Sequence, residues 1–414
     1  MSGTGGLRRV VVTGIGAVTA IGTTVAEFWA GCRRAQVGVG ELAGFPVEDL
    51  KILIAAQVKD FDHKARLKNF RRDKIIQYAD RYSWFGAAAA DEAVGMAGLE
   101  VPFTNPYRVA CIIGSGGAGL VTVEESYRDL FIKNKKATHP LTLLRFIGSS
   151  AAAHVGIEYG VKGPIFGTCS ACSTAAHAIG VGRDYIRHGL VDVAIAGAAE
   201  AAITYGTMRA WQAMHVLSPQ GIFPFAKKRN GTVLGEGAGI LVLESLEHAK
   251  ARGATILAEL CGFGMTSDSK DMVNPDIEGP KEAMRLALED AKLAPSDVDY
   301  LNAHGTATAI NDVNETRAIK AVFGDHAKRL AISSTKSMLG HPLGAGGGIE
   351  AVACIKAMQD NWVPPTAGLD EPDPECDLDY VPNVGRDQRV TFAMSNSFAF
   401  GGLNAVLVFG PAPA

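Results

Sequence analysis

The chain has 414 residues, of which 47% are hydrophobic and 20% charged, with 48 glycines and a formal net charge of −3. That length admits two or three ordinary domains, or one large unit built from two similar halves. The lack of a basic excess argues against a nucleic-acid or membrane-surface binder, and seven cysteines scattered through apolar segments point to a reducing compartment, not a disulfide framework.

At the N-terminus, Arg9-Val10-Val11-Val12 followed by Gly14-Ile15-Gly16 has the pattern of a buried strand entering a glycine turn. A dinucleotide fingerprint would need a third glycine, and Thr19 stands there instead; no acidic residue ends a second strand at the required distance. Two arginines before an apolar run also raise a signal peptide. The run is broken by Thr13, Gly14 and Gly16, lacks a cleavage site, and nowhere reaches the 18 apolar residues of a membrane span. The expectation is a soluble cytoplasmic protein with no membrane span and no nucleic-acid partner.

Lys64, Arg66, Lys68, Arg71, Arg72 and Lys74 form the densest basic run, with Lys133, Lys135 and Lys136 a second. Such runs are commonly solvated helix faces. Further along come a helix-like stretch (87–99) and a strand (109–117) that runs into Gly114-Ser-Gly-Gly117-Ala-Gly119.

The segment from Gly167 to Gly189 reads as a strand end, a tight turn of small residues and a helix, with Ala175, Ile179, Tyr185 and Ile186 near one face and Gly189 as its stop. Cys172 then falls at a helix N-terminus, where free N–H groups and the positive dipole end favour a thiolate and can hold an oxyanion. The same cysteine has plainer readings. It could be a small core residue, or with Cys169 a C-x-x-C redox or zinc pair; a second ligand pair and other signs of a thioredoxin-like unit are missing.

Strands 191–203 and 239–245 are apolar throughout, as expected of central strands covered on both sides. Beyond residue 254 the opening pattern recurs: a strand-like stretch at 256–268, a helix at 280–293 and a strand at 297–308 match 10–20, 87–99 and 109–117 in order. The fold class is α/β, with two βα-rich halves related by a pseudo-twofold axis. His304 in Asn302-Ala-His304-Gly-Thr-Ala-Thr308 and His341 in Ser333-Ser-Thr-Lys336-Ser-Met-Leu-Gly-His341 each follow a strand, flanked by glycine and small hydroxyl residues. Either alone reads as structural; two, with a cysteine at a helix start, suit thioester chemistry. The proline-rich stretch 363–378 is too short for a domain linker and is expected to be an ordered surface connection.

In their order and spacing, the segments S-A-C172-S-T-A, N-A-H304-G-T-A-T, S-T-K336-S-M-L-G-H341 and S395-N-S-F-A-F-G-G402 resemble the β-ketoacyl-[acyl carrier protein] synthases of the elongating type, from about residue 8 to 410. The resemblance implies a thiolase-like fold with duplicated βα halves in a layered α-β-α-β-α arrangement, 8–252 carrying the nucleophile and 253–411 the two histidines, as a homodimer. It implies decarboxylative condensation of a Cys172-bound acyl chain with malonyl-acyl carrier protein, needing no cofactor and no metal. His304 and His341 would bind the malonyl thioester carbonyl, and the Cys172 and Phe400 N–H groups would form an oxyanion hole. Lys336 would order the site with Glu350 as partner, Asp312 and Glu315 would support the first histidine, and Phe398 and Phe400 would gate the acyl pocket. The acidic acyl carrier protein would meet the Lys64–Lys74 run.

Several positions depart from the family pattern. Phe223-Pro-Phe-Ala226 and Arg229-Asn-Gly-Thr232 replace R-P-F-D and R-D-G-F, while Ala399 and Leu403 replace a glycine and a threonine in the gating loop. A Cβ at Ala399 is expected to stiffen the loop if that site needs positive φ. Gly117 stands where relatives often carry a bulky aliphatic residue, which is expected to deepen the pocket for long or unusual chains. Phrases such as ISSTKS and AIKAVFGDHA resemble the nodulation-type branch. Two alternatives remain open: a coenzyme A thiolase, which normally has a second cysteine where this chain has Ser395–Gly402, and one chain of a ketosynthase heterodimer, active here because Cys172 is present.

Overall fold

The computed structural model describes residues 6–413. The candidate leader's first five residues lie outside them. Its apolar run is the first of ten strands that form a hydrogen-bonded series: β1 (Val10–Thr19), β2 (Val109–Gly114), β3 (Ile165–Phe166), β4 (Val193–Glu200), β5 (Gly237–Ser245), β6 (Ala258–Ser267), β7 (Tyr300–Asn302), β8 (Ala331–Ser333), β9 (Ala393–Ala399) and β10 (Leu403–Gly410).

The spatial order is β8-β7-β9-β10-β6-β1-β5-β4-β2-β3. Taken as the first five and the last five strands of the chain, each group runs 3-2-4-5-1. Strand senses repeat as well: β2 lies parallel to β3 and β4 as β7 does to β8 and β9, and the remaining pairs are antiparallel in both groups. The groups are joined where Val11 and Val12 of β1 pair with Glu259 and Ala258 of β6. Helices α1 (Arg81–Ala97) and α3 (Glu278–Ala291) cover the outer faces, with α4 (Ala309–Phe323) against α3. Between the two groups run α2 (Thr174–Arg187) and α5 (Gly346–Asp360), which touch each other and strands of both groups.

Composition explains why the central layer can be so close. Helix α5 opens Gly346-Gly347-Gly348, and a Cβ on Gly348 would stand 2.3 Å from the Gly239 carbonyl oxygen of β5. Only bare backbone fits, and apart from Arg183 and Glu350 the buried positions of α2 and α5 are accordingly small or aliphatic.

The expected strand 191–203 is shorter, ending at Glu200. The stretch 363–378 departs further from expectation. Val363, Thr366, Ala367, Leu369 and Cys376 are buried, because the apolar residues of this stretch join the core and Thr366 accepts the Ser334 N–H at 3.1 Å. Among the described residues no helix is long and apolar enough to cross a membrane.

Candidate active site

Cys172 sits on the single 3₁₀ turn Ala171–Ser173 that leads into α2, on the inner face between the two strand groups. Small hydroxyl residues build the turn: Thr174 accepts the Ser170 N–H at 2.9 Å and donates to the Ala171 carbonyl at 2.7 Å, and Ser173 donates to the Ser170 carbonyl. Ala171, immediately before the cysteine, has φ +47°, a left-handed conformation that costs a non-glycine residue and is held by these bonds. All seven cysteines are free, and Cys169 is the exposed one among them.

His341 Nε2 lies 3.1 Å from Cys172 Sγ. The His304 ring stands edge-on to His341, centroids 5.5 Å apart, with Phe398 against its other side at 5.8 Å. The Phe400 N–H is directed at Cys172 Sγ, and its ring leans on Trp211. Cys172, both histidines, Phe398, Ala399 and Phe400 line one cavity of about 330 Å³.

Electrostatics follow from burial. The helix terminus was expected to yield a thiolate, but burial pushes the Cys172 thiol up to about 12, outweighing the Lys336 charge and the Phe400 N–H that pull it down. Burial holds both histidines well below the usual imidazole range, and the Lys336 ammonium reinforces this. Lys336 Nζ is 3.4 Å from His304 Nδ1 and forms a buried ion pair with Glu350. With Nδ1 facing an ammonium, His304 keeps its proton on Nε2.

Two more carboxylates hold the histidine loop. Glu315 accepts the backbone N–H groups of His304 and Gly305 at 2.8 Å each, and Asn396 Nδ2 at 3.1 Å. Asp312, pushed up to about 6 by burial, accepts the N–H groups of Phe225 and Ala307, which both have positive φ. It therefore braces backbone strain instead of touching either histidine.

Glu200, at the end of β4, escaped the sequence reading. Its buried carboxylate accepts Ser115 Oγ and the backbone N–H groups of Gly116, Gly117 and Gly344 at 2.8–3.0 Å, tying a glycine loop of the first half to the residues just after His341. The signal was a lone carboxylate in an otherwise apolar buried strand, which must find partners.

Two expectations about the pocket are corrected. Gly117 is not part of the cavity lining; a Cβ there would stand 2.8 Å from Leu120 Cδ1 and 3.2 Å from Glu200, so the neighbouring side chains already occupy the space a larger residue would take. Ala399 has no positive φ, so its Cβ adds no backbone strain; Gly401 and Gly402 are the left-handed positions of the loop, at +80° and +68°. Where Ala226 replaces a family aspartate, Arg229 pairs with Asp373 at 2.5 Å. In the basic run, Lys64, Lys68, Arg71, Arg72 and Lys74 are exposed, whereas half-buried Arg66 donates to the Thr23 carbonyl at 2.8 Å.

A thiol, two neutral imidazoles and convergent N–H groups around one apolar cavity, with a buried ammonium behind His304, suit acyl transfer through a thioester. Comparison with known proteins gives the same class. The family description for the N-terminal domain of β-ketoacyl synthases matches residues 7–249, and that for their C-terminal domain matches 257–370. Nodulation protein E of Rhizobium leguminosarum bv. trifolii is 46% identical over 402 residues, covering 97% of this chain and 99% of its own. The 3-oxoacyl-[acyl-carrier-protein] synthase 2 of Staphylococcus aureus (strain COL) is 42% identical over 412 residues, covering 97% and 98%. Among solved structures, a type II PKS acyl-carrier protein in complex with its ketosynthase, AntDE:AntF, superposes with a TM-score of 0.89 at 33% identity, covering 98% of this chain and 100% of that one.

Proposed function

The chain belongs to the β-ketoacyl synthase family, an acyl-transferring condensing enzyme with a thiolase-like fold, and from that premise we propose how its own residues carry the condensation. The observation that supports the assignment most directly is the 3.1 Å contact between Cys172 Sγ and His341 Nε2, with the Phe400 N–H on the same sulfur.

In the first half-reaction the thiol passes its proton to His341 Nε2 as sulfur attacks the thioester carbonyl of an acyl-acyl carrier protein. The oxyanion is held by the Cys172 and Phe400 N–H groups. When the intermediate collapses, the carrier thiol leaves with a proton and the acyl chain stays on Cys172. Cys172 belongs to an apolar cluster with Ala202, Ile203, Met208 and Leu343, walls suited to an alkyl chain.

In the second half-reaction His304 and His341 hold the thioester carbonyl of malonyl-acyl carrier protein. Carbon dioxide leaves, its bonding electron pair becomes an enolate stabilised by these two groups, and the α carbon attacks the Cys172 thioester. The new carbon–carbon bond forms as the carbon–sulfur bond breaks, and the departing Cys172 sulfur takes up one proton from solvent in place of the one that left with the carrier thiol, giving 3-oxoacyl-acyl carrier protein and free enzyme. Each neutral imidazole has one N–H to offer the carbonyl oxygen: His304 from Nε2, and His341 from Nε2 once its single proton has exchanged there from Nδ1 through solvent. Lys336, paired with Glu350, keeps His304 neutral and oriented, Glu315 holds its backbone, and Phe398 and Phe400 gate the entrance.

The preferred acyl chain is long or otherwise unusual, a reading that rests on the likeness to the nodulation-type branch. Exposed Lys64, Lys68, Arg71, Arg72 and Lys74, with Arg66 beside them, dock the acidic carrier. The protein works in the cytoplasm as a homodimer, or as the active chain of a heterodimer, with 8–252 and 253–411 as its two halves.

Intact mass after incubation with carrier proteins bearing chains of graded length tests this. Wild type should gain the acyl mass and Cys172→Ala should not. Acylation of both would remove Cys172 as nucleophile, and acylation of wild type only by coenzyme A thioesters would move the protein to the thiolases.

A further inference from the structure

The basic run 64–74 has little regular structure of its own. Only His63–Arg66 is helical. Beyond it the chain is anchored at every third residue, with Leu67, Phe70, Asp73 and Ile76 buried and Lys68, Arg71, Arg72 and Lys74 exposed between them. Leu67, Phe70 and Ile76 pack into one apolar cluster. Asp73 is a carboxylate, and a buried carboxylate needs partners.

Those partners come from the helix Ser150–Tyr159, where His154 and Glu158 stand four residues apart on one face. Asp73 Oδ2 meets His154 Nδ1, and its Oδ1 accepts the Ile75 N–H at 3.1 Å. Glu158, itself buried, receives three successive backbone N–H groups: Arg71 on Oε1, then Arg72 and Asp73 on Oε2, each at 2.9 Å. An irregular segment has no ladder for such groups, so one carboxylate does for residues 71–73 what a neighbouring strand does elsewhere. The charge of Glu158 is thus spent on backbone. Among the described residues, the guanidinium groups of Arg71 and Arg72 enter no ion pair with it or with any other carboxylate.

From this we infer that Glu158 is a positioning residue for carrier docking: by pinning the backbone of residues 71–73, it presents Arg71 and Arg72 to the acidic acyl carrier protein in a fixed array. The inference rests on the reading that the run 64–74 meets the carrier. A loose run would have to order its backbone at each encounter, and that entropy would be subtracted from affinity. Glu158 does not line the catalytic cavity, so its loss should act on KM and leave the chemical step alone.

The test is acylation kinetics with acyl-acyl carrier protein at low ionic strength, on the full chain, for Glu158→Gln, Arg71→Ala/Arg72→Ala and the triple variant. The alanine pair keeps both N–H groups for Glu158 and removes the two guanidiniums. Glu158→Gln should raise KM about tenfold with kcat unchanged. Amide exchange at residues 71–73 should quicken, while Cys172 reacts with iodoacetamide at the wild-type rate, which shows that the fold is intact. In the alanine background the same change should add less than about twofold, because the groups it positions are gone. An equal rise in both backgrounds would overturn the inference, as would an unchanged KM or a fall in kcat. Should Glu158→Gln disturb the iodoacetamide reaction, Glu158→Asp, which keeps the charge on a shorter arm, carries the same comparison. A wild-type KM for Arg71→Ala/Arg72→Ala would instead strike the docking reading itself.

Discussion

His341 Nε2 stands 3.1 Å from Cys172 Sγ, and both side chains are buried. Burial pushes the thiol up to about 12 and the imidazole well below its usual range, so at neutral pH the resting pair is a thiol beside a neutral imidazole. The proton then moves only as sulfur attacks. Alkylation of Cys172 by iodoacetamide should climb steadily through the neutral and alkaline range without an acidic plateau, and His341→Ala should slow acylation about 100-fold or more. A plateau persisting into acid would reveal a preformed thiolate–imidazolium pair and remove this account.

Lys336 should matter to both stability and pH response. Its ion pair with Glu350 is almost wholly buried, so Lys336→Met leaves an uncompensated carboxylate and is expected to cost about 3–5 kcal/mol. Lys336→Met combined with Glu350→Gln should recover part of that loss, measured by denaturant unfolding. The Lys336 charge also helps hold His304 and His341 below the usual imidazole range. Removing it raises both, so the acid limb of the condensation rate should move to higher pH. An unmoved limb would mean that burial alone sets the histidines.

How far the sequence disclosed this site depends on what each residue's signal was. Cys172, His304 and His341 could be singled out because each lies in a run of small residues that follows a strand, a local pattern. The two halves were legible from the recurring strand–helix–strand order. Glu200 was not, because its partners Ser115, Gly116, Gly117 and Gly344 come from distant parts of the chain, and only the folded strand order brings them together. Nor was the raised thiol: a helix terminus is visible in sequence, but the desolvation that outweighs it belongs to tertiary packing. Ala399 misled because a family glycine suggested positive φ, which the loop in fact places at Gly401 and Gly402.

Glu200→Gln should therefore be more harmful than its near-identical shape suggests. An amide offers one acceptor oxygen, whereas the carboxylate accepts from one hydroxyl and three backbone N–H groups. The expected loss is about 2 kcal/mol or more in thermal unfolding. Glu200 also opposes ionisation of Cys172, so the folded variant should alkylate faster at a given pH. Unchanged stability together with unchanged alkylation would show that the carboxylate braces nothing.

Within the gating loop, the strain argument moves from Ala399 to Gly402. Gly402 has φ +68°, and a Cβ there would stand 2.5 Å from Cβ of Asp268, which lines the same cavity and donates its N–H to the Gly402 carbonyl at 2.9 Å. Gly402→Ala should thus lower condensation sharply, whereas Ala399→Gly, at an ordinary φ, should change stability by no more than about 1 kcal/mol and leave turnover near wild type. Steady-state kinetics on the two variants side by side decide it; a larger defect from Ala399→Gly would return the strain to that residue.

Docking of the acidic carrier on the basic run makes a prediction about salt. Lys64, Lys68, Arg71, Arg72 and Lys74 are exposed, and neither their ammonium and guanidinium groups nor the surrounding surface shows an ion pair at any of the five among the described residues. Arg66 is different, half-buried and donating to the Thr23 carbonyl, so its replacement would disturb the N-terminal loop as well. Charge reversal at Lys68 and Lys74 is the cleaner test. It should raise KM for acyl-acyl carrier protein by about tenfold at low ionic strength, chiefly through slower association, and the difference from wild type should shrink as salt screens the surface. Thermal stability should stay within about 0.5 kcal/mol of wild type, since solvated surface charges contribute little to folding. An unchanged KM at low salt would return this run to a solvated face and shift attention to Lys136 and its neighbours, where Lys133 and Lys135 are already paired with Asp129.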